Sequence, residues 1–100
     1  MKKTYLKTKP VCRVTFSLPR EAVRNARQVS LMGEFNRWDA KATPLERRKD
    51  GSFSVTVDLD KDRDYEFRYL IDGTIWENDW SADRYVRAPS GDSENSVVST

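Results

Sequence analysis

The sequence predicts an all-β fold, an antiparallel two-sheet sandwich of immunoglobulin type with about seven strands. Three observations carry that expectation. Apolar and polar residues alternate along several short segments, Asp-Gly and Pro turns punctuate them, and no segment has an apolar stripe wide enough for a substantial helix. The chain of 100 residues suffices for one domain around one core. With 37% hydrophobic and 34% charged residues that core is modest, and the aromatic residues are expected to fill much of it.

Residues 1–10 read as an N-terminal extension and 11–100 as the domain. In the first strand Cys12, Val14, Phe16 and Leu18 alternate with Arg13, Thr15 and Ser17, and Pro19 ends it. Residues 20–27 are expected to form a connecting loop. Val29, Leu31 and Phe35 mark a second strand whose regularity breaks at Gly33, where a bulge or a close backbone approach fits. A polar loop over 36–44 leads to a short strand at 45–48 and a tight hairpin at Asp50-Gly51.

The pattern is clearest at 53–59, where Phe53, Val55, Val57 and Leu59 share one face. After an acidic turn, Tyr65, Phe67, Tyr69 and Ile71 alternate with Glu66, Arg68 and Leu70. Asp72-Gly73 then turns the chain into a return strand through Trp76. Residues 77–94 read as irregular, and 95–98 as the last strand. The expected core comprises Val14, Phe16, Leu31, Val55, Val57, Phe67 and Tyr69.

Composition excludes several functions. Without histidine, a serine or cysteine nucleophile has no imidazole base and histidine zinc sites are ruled out. A carboxylate-pair glycosidase stays formally open, since two carboxyl groups brought together would suffice, but so small a chain is not expected to form the deep cleft it needs. No cofactor or metal is expected: the Asp58-Leu59-Asp60-Lys61-Asp62 run resembles a calcium loop, but Arg63 stands where glycine is required and Tyr69 where a glutamate is. A net charge of +2 is spread in both signs, and the basic clusters at Lys2, Lys3, Lys7, Lys9 and at Arg47, Arg48, Lys49 are short, which argues against a nucleic-acid partner. No apolar run is long enough for a secretion signal or a membrane span, and the lone Cys12 fits a reducing, cytoplasmic setting.

The tryptophans carry more information. Trp80 is expected to be structural, Trp76 leans towards a binding role, and Trp38 is open to either reading. An exposed indole offers an apolar, electron-rich face to the axial C–H groups of a pyranose, and neighbouring Asn, Arg or Lys side chains can bond its hydroxyls.

Residues 29–38, Val-Ser-Leu-Met-Gly-Glu-Phe-Asn-Arg-Trp, resemble the Gly-x-Phe-Asn-x-Trp signature of early-set domains. These domains occur in isoamylase and glycogen branching enzyme, and as the glycogen-binding carbohydrate-binding module of AMP-activated protein kinase β subunits. Pro44-Leu45, the strand at 53–59, the segment 67–73 with Trp76, and residues 95–98 agree in order.

The resemblance implies a non-catalytic immunoglobulin-like sandwich that binds α-1,4-linked glucans such as glycogen, starch or maltooligosaccharides. It makes Trp38 and Trp76 stacking platforms, sets Arg68 where related members carry lysine, and matches Asn95 to an asparagine that bonds glucose hydroxyls. Strand parity independently turns Arg68 away from Tyr65, Phe67 and Tyr69.

Two departures shape the expectation. Residues 89–94 hold no apolar finger to wrap a sugar, which points to weak binding. One extra residue also separates Asp72-Gly73 from Trp76. A two-residue turn would pair Trp76 with Tyr69 on the inward face, whereas a three-residue loop through Thr74 would pair it with Leu70 on Arg68's side. The domain is expected to stand without a catalytic neighbour, which leaves two classes open: an α-glucan as partner, or a partner protein, such as an α-amylase-type enzyme, docked on the same surface or on an exposed strand edge.

Overall fold

The computed structural model describes residues 1–91 and 93–100. Nine strands are present among them, two more than the alternation announces: β1 (Lys2–Tyr5), β2 (Val11–Leu18), β3 (Val29–Gly33), β4 (Glu46–Arg47), β5 (Phe53–Asp60), β6 (Asp64–Ile71), β7 (Ile75–Glu77), β8 (Arg84–Arg87) and β9 (Glu94–Ser99). They form two antiparallel sheets, β1-β2-β5-β4 and β3-β6-β9-β8, with β7 also paired to β6. The result is an all-β sandwich, as the sequence predicts.

The added strands are polar edge strands. β1 pairs Lys2–Tyr5 with Cys12–Thr15 of β2, and β8 pairs with β9 from Arg84↔Val97 to Arg87↔Glu94. Neither carries the apolar alternation by which a half-buried strand is recognised. Part of the expected loop at 20–27 forms a single helical turn, α1 (Arg20–Val23), closed by Ala22 N–H donating to the Pro19 carbonyl at 3.0 Å and burying Val23.

The core lies between the sheets. Cys12, Val14, Phe16 and Leu18 of β2 are fully buried and sit in register with Leu59, Val57, Val55 and Phe53 of β5. Leu31 of β3 and Phe67, Tyr69 and Ile71 of β6 close the other side. Edge-on contacts bind the aromatic residues: Phe16 to Phe67 with centroids 5.0 Å apart, and Phe67 to Tyr69 at 5.8 Å. Each fully buried phenylalanine contributes about 1.5–3 kcal/mol. Val55 and Val57, expected in the core, are half-buried and pack against its margin.

A buried polar strut joins the core to the segment after β7. Tyr69 Oη–H donates to Asp79 Oδ2 at 2.6 Å, and Ser81 N–H donates to Asp79 Oδ1 at 2.7 Å. Asp79 N–H donates to Ser96 Oγ at 2.9 Å, while Tyr85 Oη–H donates to the Asp79 carbonyl at 2.6 Å. Segment 78–83 is thereby fixed without apolar patterning. No described helix is long and apolar enough to cross a membrane.

Gly33 is required by space. A Cβ there would lie 2.8 Å from Phe35 Cζ, 2.8 Å from Phe67 Cβ and 2.9 Å from the Glu66 carbonyl oxygen. Gly33→Ala is expected to lower unfolding free energy in urea by about 1–3 kcal/mol through overpacking. Tyr69 gives a second test. Burial first, and the Asp79 carboxylate beside it, push its phenol well above the ordinary value of 10.0. The folded state therefore holds this proton while the unfolded chain loses it. Stability is intact below pH 10 and falls as pH rises towards the folded value. In an alkaline absorbance titration, the Tyr69 ionisation is expected only together with unfolding.

Candidate functional site

The outward face of β6 organises the site. Because alternate residues of a strand face opposite ways, turning Phe67 and Tyr69 inward turns Glu66, Arg68 and Leu70 outward. The register sets Arg68 beside Met32 of β3, Glu66 beside Val97 of β9, and Leu70 beside Trp76 of β7. Met32, Leu70 and Val97 are nonetheless buried, outside the main core cluster. They form a small apolar floor on the outer face.

The hairpin between β6 and β7 uses the three residues Asp72, Gly73 and Thr74, so that Ile71 pairs with Ile75 and Leu70 with Trp76. Of the two pairings open to the sequence, this one carries Trp76 outward. The Arg68 guanidinium carbon lies 4.7 Å from the Trp76 ring centroid, within cation–π range. β9 pairs with β6 only as far as Phe67, and β7 begins at Tyr69, leaving Arg68 at the break between two successive neighbours.

The signature segment places Trp38. β3 ends at Gly33, and the 3₁₀ turn Glu34–Asn36 folds back under Asn36. The Asn36 amide accepts from Gly33 N–H at 3.0 Å and donates to the Leu31 carbonyl at 2.8 Å and to Thr43 Oγ1 at 3.0 Å. Phe35 packs its ring against Phe16 at 5.5 Å. Arg37 and Trp38 both take left-handed conformations, φ 58° and 57°, and Trp38 N–H donates to the Gly33 carbonyl at 2.9 Å. Such backbone is costly for residues with a Cβ, by about 1–3 kcal/mol each, and gathers at binding and catalytic sites. Glycine, phenylalanine and asparagine are thus the mount, and tryptophan is what they present.

A cavity of about 330 Å³ lies on this outer face, lined by Trp38, Arg68 and Asn95 together with Glu34, Glu66 and Pro89. Three of the four residues marked by the sequence therefore meet; Trp76 stands on the other side of Arg68, outside the lining. Only Trp76 is openly exposed, at 45%, while Trp38 and Arg68 are half-buried and Asn95 is 3% exposed.

Asn95 and Arg68 each leave a polar atom buried without a partner among the described residues, Asn95 Oδ1 and Arg68 Nε. An unpaired buried polar atom costs about 1–3 kcal/mol, so both need an explanation. Beside them, Asn95 Nδ2 donates to Glu66 Oε1 at 3.0 Å, and Arg68 Nη1 contacts Ser93 Oγ at 3.4 Å. Asp92, in the loop expected to lack an apolar finger, lies outside the described residues.

Glu34 and Glu66 were not singled out by sequence reasoning, since a glutamate facing outward reads as solvated. Spacing held the signal: Glu66 is two residues from Arg68 and shares its face. Trp80, expected to be structural, is 54% exposed; its neighbour Asp79 makes the buried contacts instead.

A cavity with hydrogen-bonding walls and a tryptophan in its lining, built on the outer face of a sandwich, defines the class of small β-sandwich binding domains. The chain belongs to the carbohydrate-binding module 48 family (isoamylase N-terminal domain), whose profile matches residues 21–86. The match takes in Trp38, Arg68 and Trp76 and stops before Asn95. No curated protein sequence matches the chain significantly.

Asn36→Ala tests how Trp38 is mounted. Removing its three hydrogen bonds is expected to cost about 1–3 kcal/mol in denaturant unfolding. The Trp38 indole N–H resonance should shift or broaden, while that of Trp76, carried by a separate hairpin, stays in place.

Proposed function

We propose that this domain binds α-1,4-linked glucans, as glycogen, starch or maltooligosaccharides, and performs no chemistry on them. The observation that carries the reading is the convergence of Trp38, Arg68 and Asn95 on one cavity, with an orphaned donor and an orphaned acceptor buried in the side chains that wall it. A pyranose ring meets those needs together once small side-chain movements uncover the two atoms, which lie buried just beneath the cavity surface. Its C–H face packs on an indole, one hydroxyl accepts from Arg68 Nε, and another donates to Asn95 Oδ1.

Membership of a carbohydrate-binding family supports the same reading, and the absence of histidine removes the usual general base of acyl-transfer chemistry. The single buried cysteine fits a cytoplasmic setting.

Affinity should be low. An indole–sugar stack is taken at about 1 kcal/mol, by analogy with aromatic pairs, and the gain from a few hydrogen bonds is offset by ordering costs. A total near −4 to −6 kcal/mol corresponds to dissociation constants nearer millimolar than micromolar.

The test is a residue-resolved NMR titration with maltoheptaose, with a β-1,4-linked oligosaccharide as control. Saturable shifts at Trp38, Arg68 and Asn95, extending to Trp76, are expected with the α-linked sugar alone, and no reducing sugar should be released from amylose. Trp76→Ala should weaken binding and leave the melting temperature nearly unchanged, because the ring is exposed. No shift in tens of millimolar maltoheptaose would replace the glucan reading with a protein-docking one. The exposed Ile75 and Trp76, on the short strand β7 that pairs with β6, are where such a partner would bind.

A further inference from the structure

We infer that Glu66 sets the ligand class of this cavity, making it selective for uncharged hydroxylated ligands over those carrying phosphate or carboxylate groups. The inference rests on the glucan reading above and adds a specificity residue to it.

The argument begins with the Asn95 amide. Its oxygen and nitrogen are distinguished by their partners, and here the partner is a carboxylate, which only accepts hydrogen bonds. Glu66 Oε1 lies 3.0 Å from Asn95 Nδ2, and that contact holds the NH₂ group towards β6. Asn95 Oδ1 is therefore the end left over, buried and unpartnered on a side chain that lines the cavity. Once a small side-chain movement uncovers this oxygen, Asn95 offers the ligand an acceptor and so demands a donor from it. Arg68 Nε, likewise buried and unpartnered, offers a donor.

A pair of hydroxyls supplies both functions, since each can donate or accept. A phosphate dianion or a carboxylate has no proton for Asn95 Oδ1 and would leave that oxygen facing another oxygen.

Charge acts in the same direction. Among the described residues lining the cavity, two carboxylates, Glu34 and Glu66, stand against one guanidinium, Arg68. Both carboxylates are fixed at the site: Glu34 Oε1 accepts from Glu66 N–H at 2.7 Å, and Glu66 is held by Asn95. Arg68 is restrained by Trp76 at 4.7 Å and by Ser93, which limits its reach towards an anion. An incoming phosphate group would meet two like charges in a partly desolvated space, where they are weakly screened.

The test compares maltotetraose with the same oligosaccharide bearing one 6-phosphate, titrated at low ionic strength into wild type, Glu66→Gln and Glu34→Gln. Wild type should bind the phosphorylated sugar about tenfold more weakly or worse. Glu66→Gln should narrow that gap to about threefold or less, because a charge is lost and Asn95 is free to turn its NH₂ outward. It should also shift the Asn95 side-chain amide resonances before any sugar is added.

Glu34→Gln, which does not touch Asn95, should narrow the gap without that shift, and it serves as the second variant if Glu66→Gln does not fold. Equal wild-type affinity for the two sugars, or a gap that survives in both variants, overturns the inference and leaves the glucan reading standing. Wild type that binds neither sugar overturns both.

Discussion

The arrangement of the site depends on the two-sided alternation of β6. One strand supplies both the middle of the core, through Phe67 and Tyr69, and the middle of the candidate site, through Glu66 and Arg68. Because the side-chain period of a strand is two, the hydrophobic requirement on one face fixes what the other face presents. A one-residue slip of β6 would put Arg68 into the core. The burial of Phe67 and Tyr69 on the inner face is what keeps the guanidinium aimed at the cavity. Site and stability are in this sense one constraint, since the residues that fold the domain also index the cavity-facing row.

Several local costs fall around that row. Arg37 and Trp38 sit in left-handed backbone, as Asn25, Asp62 and Asp72 do elsewhere, and Asn95 Oδ1 and Arg68 Nε lack partners among the described residues. None of these is favourable for folding alone, and each is held by a well-satisfied neighbour. Asn36 makes three hydrogen bonds around the 3₁₀ turn, Glu66 holds the Asn95 amide, and Trp76 covers the guanidinium. Rigid support beneath unsatisfied groups is the arrangement expected of a site that awaits a ligand, and it lowers the ordering cost when one arrives.

How much of this was legible in the sequence follows from which interactions write a pattern. β2, β5 and β6 each bury one face, so their apolar residues alternate and their inward sides can be read directly. β1 and β8 are held by ladder hydrogen bonds at sheet edges, and the sequences Lys-Lys-Thr-Tyr and Arg-Tyr-Val-Arg carry no such imprint. The direction of Trp76 depended on a single loop residue, Thr74, a matter of turn geometry that composition does not decide.

At the site, Trp38 and Arg68 could be found from motif and parity. The near-complete burial of Asn95 and the part played by Glu66 could not, because both arise from β9 meeting β6, a contact between segments 29 residues apart. Trp80 shows the reverse error: the large ring reads as structural, while the small carboxylate beside it, Asp79, does the anchoring.

The central claim is that Trp38, Arg68 and Asn95 act as a single sugar-binding surface. Intermolecular NOEs between isotope-labelled protein and unlabelled maltotetraose test it most directly. The account predicts contacts from the axial protons of one glucose ring to the Trp38 indole, with contacts from the same or the adjoining ring to the Arg68 and Asn95 side chains. Contacts confined to Trp80 or Tyr5, on a protein that demonstrably binds the sugar, would place the ligand elsewhere and contradict it.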